Sequence, residues 1–184
     1  MISESQLKQT GSDTQLKALF TDQLQELYWS EKKLAKIFIK MQEAALNQDL
    51  ALAFLRLHEQ TREQIIRIEN IFQSIGEESH KSKSHVMAGI LSEVKLLIDD
   101  MDEKSHISDV ALIMIAQQAK HFEIASYGCL AELARTMGLE EASSRLSQNL
   151  QEEKQADTLF ALMAVRDINQ KASGEPAPSI QHRM

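Results

Sequence analysis

The stretch LFTDQLQELYWSEKKLAKIFIKM, residues 19–41, shows the pattern of a long amphipathic helix. Its apolar residues recur at alternating spacings of three and four, which places them on one inward-packing face of an α-helix. The members of this face are Leu24, Leu27, Leu34, Phe38 and Met41. Glu31 occupies the position between Leu27 and Leu34 where a leucine is expected. A carboxylate there costs several kcal/mol unless it has a partner, so Glu31 indicates a polar site inside the protein.

Two further helical patterns each carry a glutamate at the same kind of position. Glu123 is in register with Leu112, Ala116, Ala119, Leu130 and Leu133, and Glu153 is in register with Leu146, Asn149, Ala156, Phe160 and Met163. One inward carboxylate in each of three helices suggests a shared partner, and a metal cation would neutralise all three. Ion pairs between helices, made with Lys or Arg, are the alternative that needs no metal.

Composition favours one helical domain. A chain of 184 residues with 43% hydrophobic content can form a core of its own, and 6 Gly, 2 Pro and 5% aromatic residues favour helix over sheet. The net charge of −7, with no basic stripe, argues against a nucleic-acid partner. The absence of a long apolar run or a signal peptide predicts a cytoplasmic protein with no membrane partner. The single cysteine, Cys129, excludes an internal disulfide and is expected to be buried on a helix.

The order of the patterns predicts an all-α fold, a ferritin-like four-helix bundle with a long crossover. The long helices are expected over residues 14–45, 50–75, 108–136 and 140–170. The crossover between the second and third of these carries an extra helix near residues 86–101. A polar lead-in over 1–13 and a flexible tail over 172–184 flank the bundle domain, residues 14–171.

Carboxylates in the core of such a bundle typically bind two metal ions. Two helices supply a single Glu each, and the other two supply a Glu-x-x-His motif. Open positions on the ions admit water, dioxygen or peroxide. The glutamates at 31 and 123 fit the single positions, and two further helices offer acidic pairs at spacing i, i+4. These pairs are Glu59 with Glu63 and Glu153 with Asp157.

The histidines expected of a dinuclear site are missing from both acidic pairs. Arg62 and Ala156 occupy the positions where those histidines would lie. His58 and His121 are the remaining candidate ligands, with hydrogen bonding or packing as the alternative role of each.

Four segments together resemble one bacterial family. They are LFTDQLQELYWSEKKL (19–34), HEQTREQIIRIE (58–69), AQQAKHFEIASYG (116–128) and LQEEKQAD (150–157). In this order and at these separations they are similar to the YciE/YciF family of bacterial ferritin-like stress proteins, over about residues 16–165. The resemblance implies a ferritin-like bundle, a homodimer, and a role in osmotic, oxidative or bile-type stress.

The resemblance also implies a dinuclear centre of iron or manganese. The residues that match the acidic motif positions are Glu31, Glu59, Glu123, Glu153 and Asp157, with His121 in the motif of the third long helix. This chain departs from the family at Lys120, where members carry an acid, and at Arg62, where some carry histidine. Either cation can neutralise a buried carboxylate as a metal does, so we expect one or two Fe or Mn ions per chain, or none.

Two functions follow as expectations. The first is a metal-binding stress-response protein with a carboxylate site in the bundle core, acting on peroxide or dioxygen; whether it turns over as an enzyme stays open. The alternative is a dimeric helical interaction protein with a vestigial metal site and no turnover. In the alternative, Arg62, Lys120 and solvent satisfy the carboxylates. Both expectations describe a cytoplasmic homodimer.

Overall fold

The computed structural model describes residues 4–80, 82–101 and 103–175, with side chains from residue 15 onward. The helices are α1 (Glu4–Ala44), α2 (Gln48–Ser74), α3 (His85–Asp99), α4 (His106–Thr136), α5 (Glu140–Met163), a π-helical turn (Ala164–Ile168) and α6 (Asn169–Ser173). These residues contain no strand, which confirms the prediction of an all-α fold. None of the described helices is long and apolar enough to cross a lipid bilayer.

Four long helices form the bundle, and α3 packs on its outside. Short turns join α1 to α2 and α4 to α5, and each pair packs side by side. Further contacts join α2 to α5 and α1 to α4. The chain from Ile75 to Ser105 is the crossover, and its helix α3 lies against α1 and α4. This single long crossover between the second and third bundle helices is the predicted ferritin-like arrangement.

Side-chain caps and glycines define where the bundle helices begin and end. Asn47 caps α2 by accepting a hydrogen bond from the backbone of its first turn at 3.1 Å. Ser105 and Ser108 form a reciprocal capping box at the start of α4. Gly76 and Gly138 follow α2 and α4 with φ angles of 71° and 72°, a left-handed conformation that favours glycine.

The apolar core consists of two clusters, one toward each end of the bundle. The first includes Phe38, Phe54 and Phe160, and the ring centres of the last two lie 5.5 Å apart. The second includes Phe20 of α1 and Phe72 of α2. All four long helices contribute to both clusters. Each bundle helix therefore packs into one cluster along one half of its length and into the other cluster along the other half.

Two predicted boundaries differ from the structure. Helix α1 begins at Glu4 rather than near residue 14. Five of the thirteen lead-in residues, Glu4, Gln6, Leu7, Lys8 and Gln9, are good helix formers, and the one glycine, Gly11, costs only about 1 kcal/mol in a helix. At the other end Ala172 is buried within α6, so the helical part continues past the predicted start of the tail. The tail from residue 176 to 184 lies outside the described residues.

The position predicted for Cys129 is also wrong. The inward face of α4 near this residue runs through Tyr127, Leu130 and Ala134, which are all buried. Cys129 lies off this face and is exposed.

Candidate functional site

A buried polar layer crosses the bundle between the two apolar clusters. Its members are Glu31 of α1, Thr61 and Gln64 of α2, Lys120 and Glu123 of α4, and Asn149 and Glu153 of α5. Each of these residues is at most 1% exposed. The three glutamates that the sequence places on inward faces therefore do lie in the core, one on each of three helices.

Lys120 lies among the carboxylates of this polar layer. Its Nζ lies 2.7 Å from Oε2 of Glu123, one turn along the same helix, and forms a second ion pair with Glu153 of α5. The ammonium also lies 5.0 Å from the centre of the Phe38 ring. Burial opposes the charge on Lys120, but the surrounding carboxylates outweigh burial and raise its pKa above the ordinary value. Lys120 is therefore a fixed positive charge inside the core.

Two of the three carboxyl groups bind protons more tightly than usual. Burial and the neighbouring charge of Glu153 raise the pKa of Glu31 from 4.5 to about 7. The same causes raise the pKa of Glu123 well above its ordinary value. Tyr127 supports Glu31 by donating its hydroxyl hydrogen to Oε1 at 2.5 Å. The carboxyl groups of Glu31 and Glu123 therefore hold protons more readily than exposed glutamates do, while Lys120 stays paired with Glu123 and Glu153.

Gln64 provides the α2 side of the polar layer. Its Nε2 donates to Oε1 of Glu153 at 2.6 Å and to Oε2 of Glu152 at 3.2 Å. Glu152 also pairs with Arg67 at the edge between α2 and α5. The carboxylate of Glu153 is therefore held from two sides, by an ammonium and by an amide.

Helix α2 contributes Gln64 to this layer instead of the predicted Glu59. The buried face of α2 runs through Leu57, Thr61, Gln64 and Ile68, at spacings of four, three and four. Glu59 lies off this face and is exposed, so the expectation that it joins the three glutamates is corrected. The signal for Gln64 is present in the sequence, because an uncharged polar residue at these spacings is also out of place in a core.

Asp157 and His121 meet outside the polar layer, between α4 and α5. Nε2 of His121 lies 3.6 Å from Oδ1 of Asp157, and Gln117 donates to the same oxygen at 3.2 Å. Asp157 follows Glu153 by four residues and so lies about 40° further round the helix, enough to leave the inward face. His121 is exposed. The structure does not bring either residue to the buried carboxylates.

His58 and Arg62 also lie outside the polar layer. Nδ1 of His58 donates to the backbone carbonyl of Ala35 at 2.6 Å, which is the hydrogen-bonding role considered as its alternative. Arg62 is exposed. The suggestion that Arg62 replaces a metal is therefore corrected, and Lys120 remains as the cation that could do so.

The residues of the layer do not fit the dinuclear metal centre that the family resemblance implies. The Lys120 ammonium holds the place among the carboxylates that a metal cation would need. In addition, no group of three or more His, Cys, Asp or Glu side chains in the described part of the chain is arranged to hold a metal ion. Metal ligation by the predicted residues stays a prediction, and the geometry favours the lysine as their partner.

The fold and the layer together define the class of protein, a ferritin-like four-helix bundle with buried carboxylates at its centre. The sequence profile of a family described as Domain of unknown function, DUF892, matches residues 15–173. The chain belongs to this family.

Individual relatives agree with this assignment. Protein YciF of Escherichia coli (strain K12) is 35% identical over 158 residues, which cover 85% of this chain and 95% of YciF. The crystal structure of the E. coli stress protein YciF matches with a TM-score of 0.80 at 34% identity, covering 85% of this chain and 98% of that chain. The structure of YcfI of Rhodopseudomonas palustris, provisionally assigned a structural role, matches with a TM-score of 0.76 at 29% identity. The match covers 79% of this chain and 92% of that chain. A protein of Xanthomonas campestris pv. campestris shares the fold, with a TM-score of 0.69 at 18% identity. This match covers 86% of this chain and 97% of that chain. These findings confirm the predicted family and bundle.

Proposed function

We propose that this protein acts in a bacterial stress response as a helical interaction protein whose buried carboxylates are held by Lys120 and which performs no metal-dependent turnover. The observation that carries the proposal is the ion pairing of Lys120 Nζ with Glu123 and Glu153 in the core. An ammonium at this place supplies the positive charge that a metal would otherwise supply. The polar layer can therefore be close to neutral without a metal.

The relatives support two other parts of this proposal, the role in stress and the absence of turnover. The stress role is supported by the similarity to YciF, which is described as a stress protein. The absence of turnover agrees with the provisional structural role of YcfI. Neither name describes a substrate, so we propose contact with another protein chain as the output.

A site for one metal ion is the second candidate, and the charge of the layer favours it. Three carboxylates face one ammonium, and Oε2 of Glu31 and Oε1 of Glu123 have no hydrogen-bond partner within the described ranges. One Fe or Mn ion would neutralise the remaining charge. Protons provide the same neutralisation in the first proposal, and the raised pKa values of both carboxyl groups favour protons.

Elemental analysis of protein purified without chelators or affinity metals distinguishes the two candidates. We expect iron and manganese far below one ion per chain, and a thermal midpoint that neither EDTA nor added Mn(II) changes. One ion per chain, lost in Glu31→Gln and Glu123→Gln, would establish the second candidate. Two ions per chain would overturn both.

The interaction role requires a partner, and a homodimer is the assembly that the family resemblance implies. Size-exclusion chromatography with light scattering measures the mass of the full chain, which is 20.8 kDa for one copy. The exposed Cys129 accepts a spin label, so a label-to-label distance would detect a second copy independently of mass. A monomer by both methods would remove the homodimer from the proposal and leave a different protein as the partner.

A further inference from the structure

A basic groove lies between α1 and α2, on the outside of the bundle. It has a volume of about 320 Å³, and its walls include Trp29, Lys33, Lys36, His58, Arg62 and Ile65. Four of its lining residues, counting Lys32, carry a fixed positive charge, and none of the lining residues in the described ranges is acidic. This concentration of positive charge contrasts with the net charge of −7 of the whole chain and attracts anions to this face.

Three of the cations in the basic groove are available to a ligand. Lys33, Lys36 and Arg62 have no acidic partner within 4.0 Å in the part of the chain that the structure describes. Lys32 differs, because its Nζ lies 3.6 Å from Glu69. The guanidinium of Arg62 presents planar donors that match phosphate oxygens, and a lysine ammonium adds a point charge.

The basic groove also has apolar lining residues. Trp29 and Ile65 are half-buried there, and Nζ of Lys33 lies 5.5 Å from the centre of the indole ring. The hydrogen bond from His58 Nδ1 to the carbonyl of Ala35, 2.6 Å long, ties the imidazole to the backbone of α1. The volume is at the lower end of the roughly 300–1,000 Å³ typical of small-ligand sites.

We propose that the basic groove binds a small organic phosphate that carries a planar ring, a ligand of the size and chemistry of a nucleoside monophosphate. A phosphate monoester carries about −1.5 to −2 charge near neutral pH and offers three acceptor oxygens, which suit Arg62 and Lys36. The ring then packs against Trp29 and Ile65. Inorganic phosphate offers the same acceptors without the ring and binds more weakly. This site shares no residue with the polar layer and is independent of the function proposed above.

The fluorescence of Trp29 tests this proposal directly, because Trp29 is the only tryptophan in the chain. AMP, inorganic phosphate and adenosine are titrated into the full chain, with excitation where adenine does not absorb. We expect a saturable change in emission with AMP, weaker binding of phosphate, and no saturable change with adenosine. Isothermal titration calorimetry gives the same dissociation constants without relying on the indole.

A pair of double variants separates the groove from general charge effects. Lys36→Gln with Arg62→Gln removes two groove cations and should raise the Kd for AMP roughly tenfold or more. Lys95→Gln with Arg166→Gln removes the same charge from exposed positions on other helices and should leave the Kd within about twofold. Unchanged thermal midpoints verify that both variants fold. The proposal is overturned by no binding of AMP in either assay, by an equal loss in both variants, or by phosphate or adenosine binding as tightly as AMP.

Discussion

Lys120 Nζ lies 2.7 Å from Oε2 of Glu123, and the side chains of both residues are completely buried. One turn of α4 therefore places a cation and an acid together in the core, between two apolar clusters. Removing two charges from water is costly, and their attraction offsets this only while both partners stay in place. We therefore expect this point of the bundle to respond strongly to substitution.

Replacing Lys120 tests its role as the counter-ion. Lys120→Met keeps an unbranched chain of similar length but leaves Glu153 without its cation, so the free energy of unfolding should fall by about 3–5 kcal/mol. Urea denaturation near neutral pH measures this change. Lys95→Met removes an exposed lysine of α3 and should alter stability by less than about 0.5 kcal/mol.

A second substitution shows whether the loss comes from the charge. Adding Glu153→Gln to Lys120→Met removes the stranded carboxylate and should recover at least about 1 kcal/mol. If the two lysine variants were equally stable, or if Glu153→Gln made Lys120→Met worse, Lys120 would not be the partner of these acids.

Glu31 predicts how stability depends on pH. Its pKa is about 7 in the folded protein against 4.5 ordinarily, so the native state binds the proton more tightly than the unfolded chain. Proton binding by Glu31 contributes on the order of 3 kcal/mol to the free energy of unfolding. This contribution is fully present below about pH 4.5 and is lost as the pH rises through about 7. The thermal midpoint should therefore fall as the pH is raised through this range.

The variant Glu31→Gln isolates this effect, because an amide stays neutral at every pH. We expect the thermal midpoint of Glu31→Gln to depend less on pH than that of the wild type. The midpoint of Glu59→Gln, whose side chain is exposed, should depend on pH as the wild type does. Calorimetric scans from about pH 5 to about pH 8 give both profiles. Identical slopes in all three proteins would show that Glu31 does not titrate in this range.

The inward glutamates could be predicted from sequence because an apolar helical face has a fixed period, and Glu31 interrupts that period. The partner of these glutamates could not be fixed in the same way. Lys120 lies next to the inward face, and a lysine there can either bend into the core or extend its charge to water. Only the packing of α4 against α1 and α5 decides between these orientations.

Helix α2 shows a second limit of sequence reasoning. A search for carboxylates selects Glu59, but the inward face of α2 carries the neutral Gln64, which serves the same layer as a hydrogen-bond donor. A search for metal-binding side chains therefore misses the amide of Gln64. Helix phase predicts where a side chain points, whereas the chemistry of a core site depends on which groups it meets there.

Asp109 links the turn between α1 and α2 to the first turn of α4. Its two carboxylate oxygens accept hydrogen bonds from the backbone nitrogens of Leu46 at 2.8 Å and Asn47 at 2.9 Å. Asp109→Ala removes the charged acceptor of both hydrogen bonds, so we expect a loss of about 2–4 kcal/mol in urea denaturation. Asp22→Ala, at an exposed position of α1, should lose less than about 0.5 kcal/mol. Comparable losses would mean that the Asp109 bonds do not hold the turn.

Lys120→Ser tests whether the lysine stands in the place of a metal. Serine leaves room among Glu31, Glu123 and Glu153, and three carboxylates without a cation should attract a divalent ion. We expect Mn(II) to raise the unfolding free energy of Lys120→Ser by about 1–3 kcal/mol, to leave the wild type unchanged, and to act reversibly with EDTA.

A matched variant makes the metal response specific to the layer. Lys120→Ser combined with Glu123→Gln lacks one of the oxygen donors and should lose most of the response to Mn(II), whereas Lys120→Ser combined with the exposed Glu59→Gln should keep it. An equal response of the wild type would favour the second candidate, in which a metal binds beside the lysine. If no variant responds, the carboxylates cannot form a metal site even when the ammonium is removed, and Lys120 then serves the fold alone.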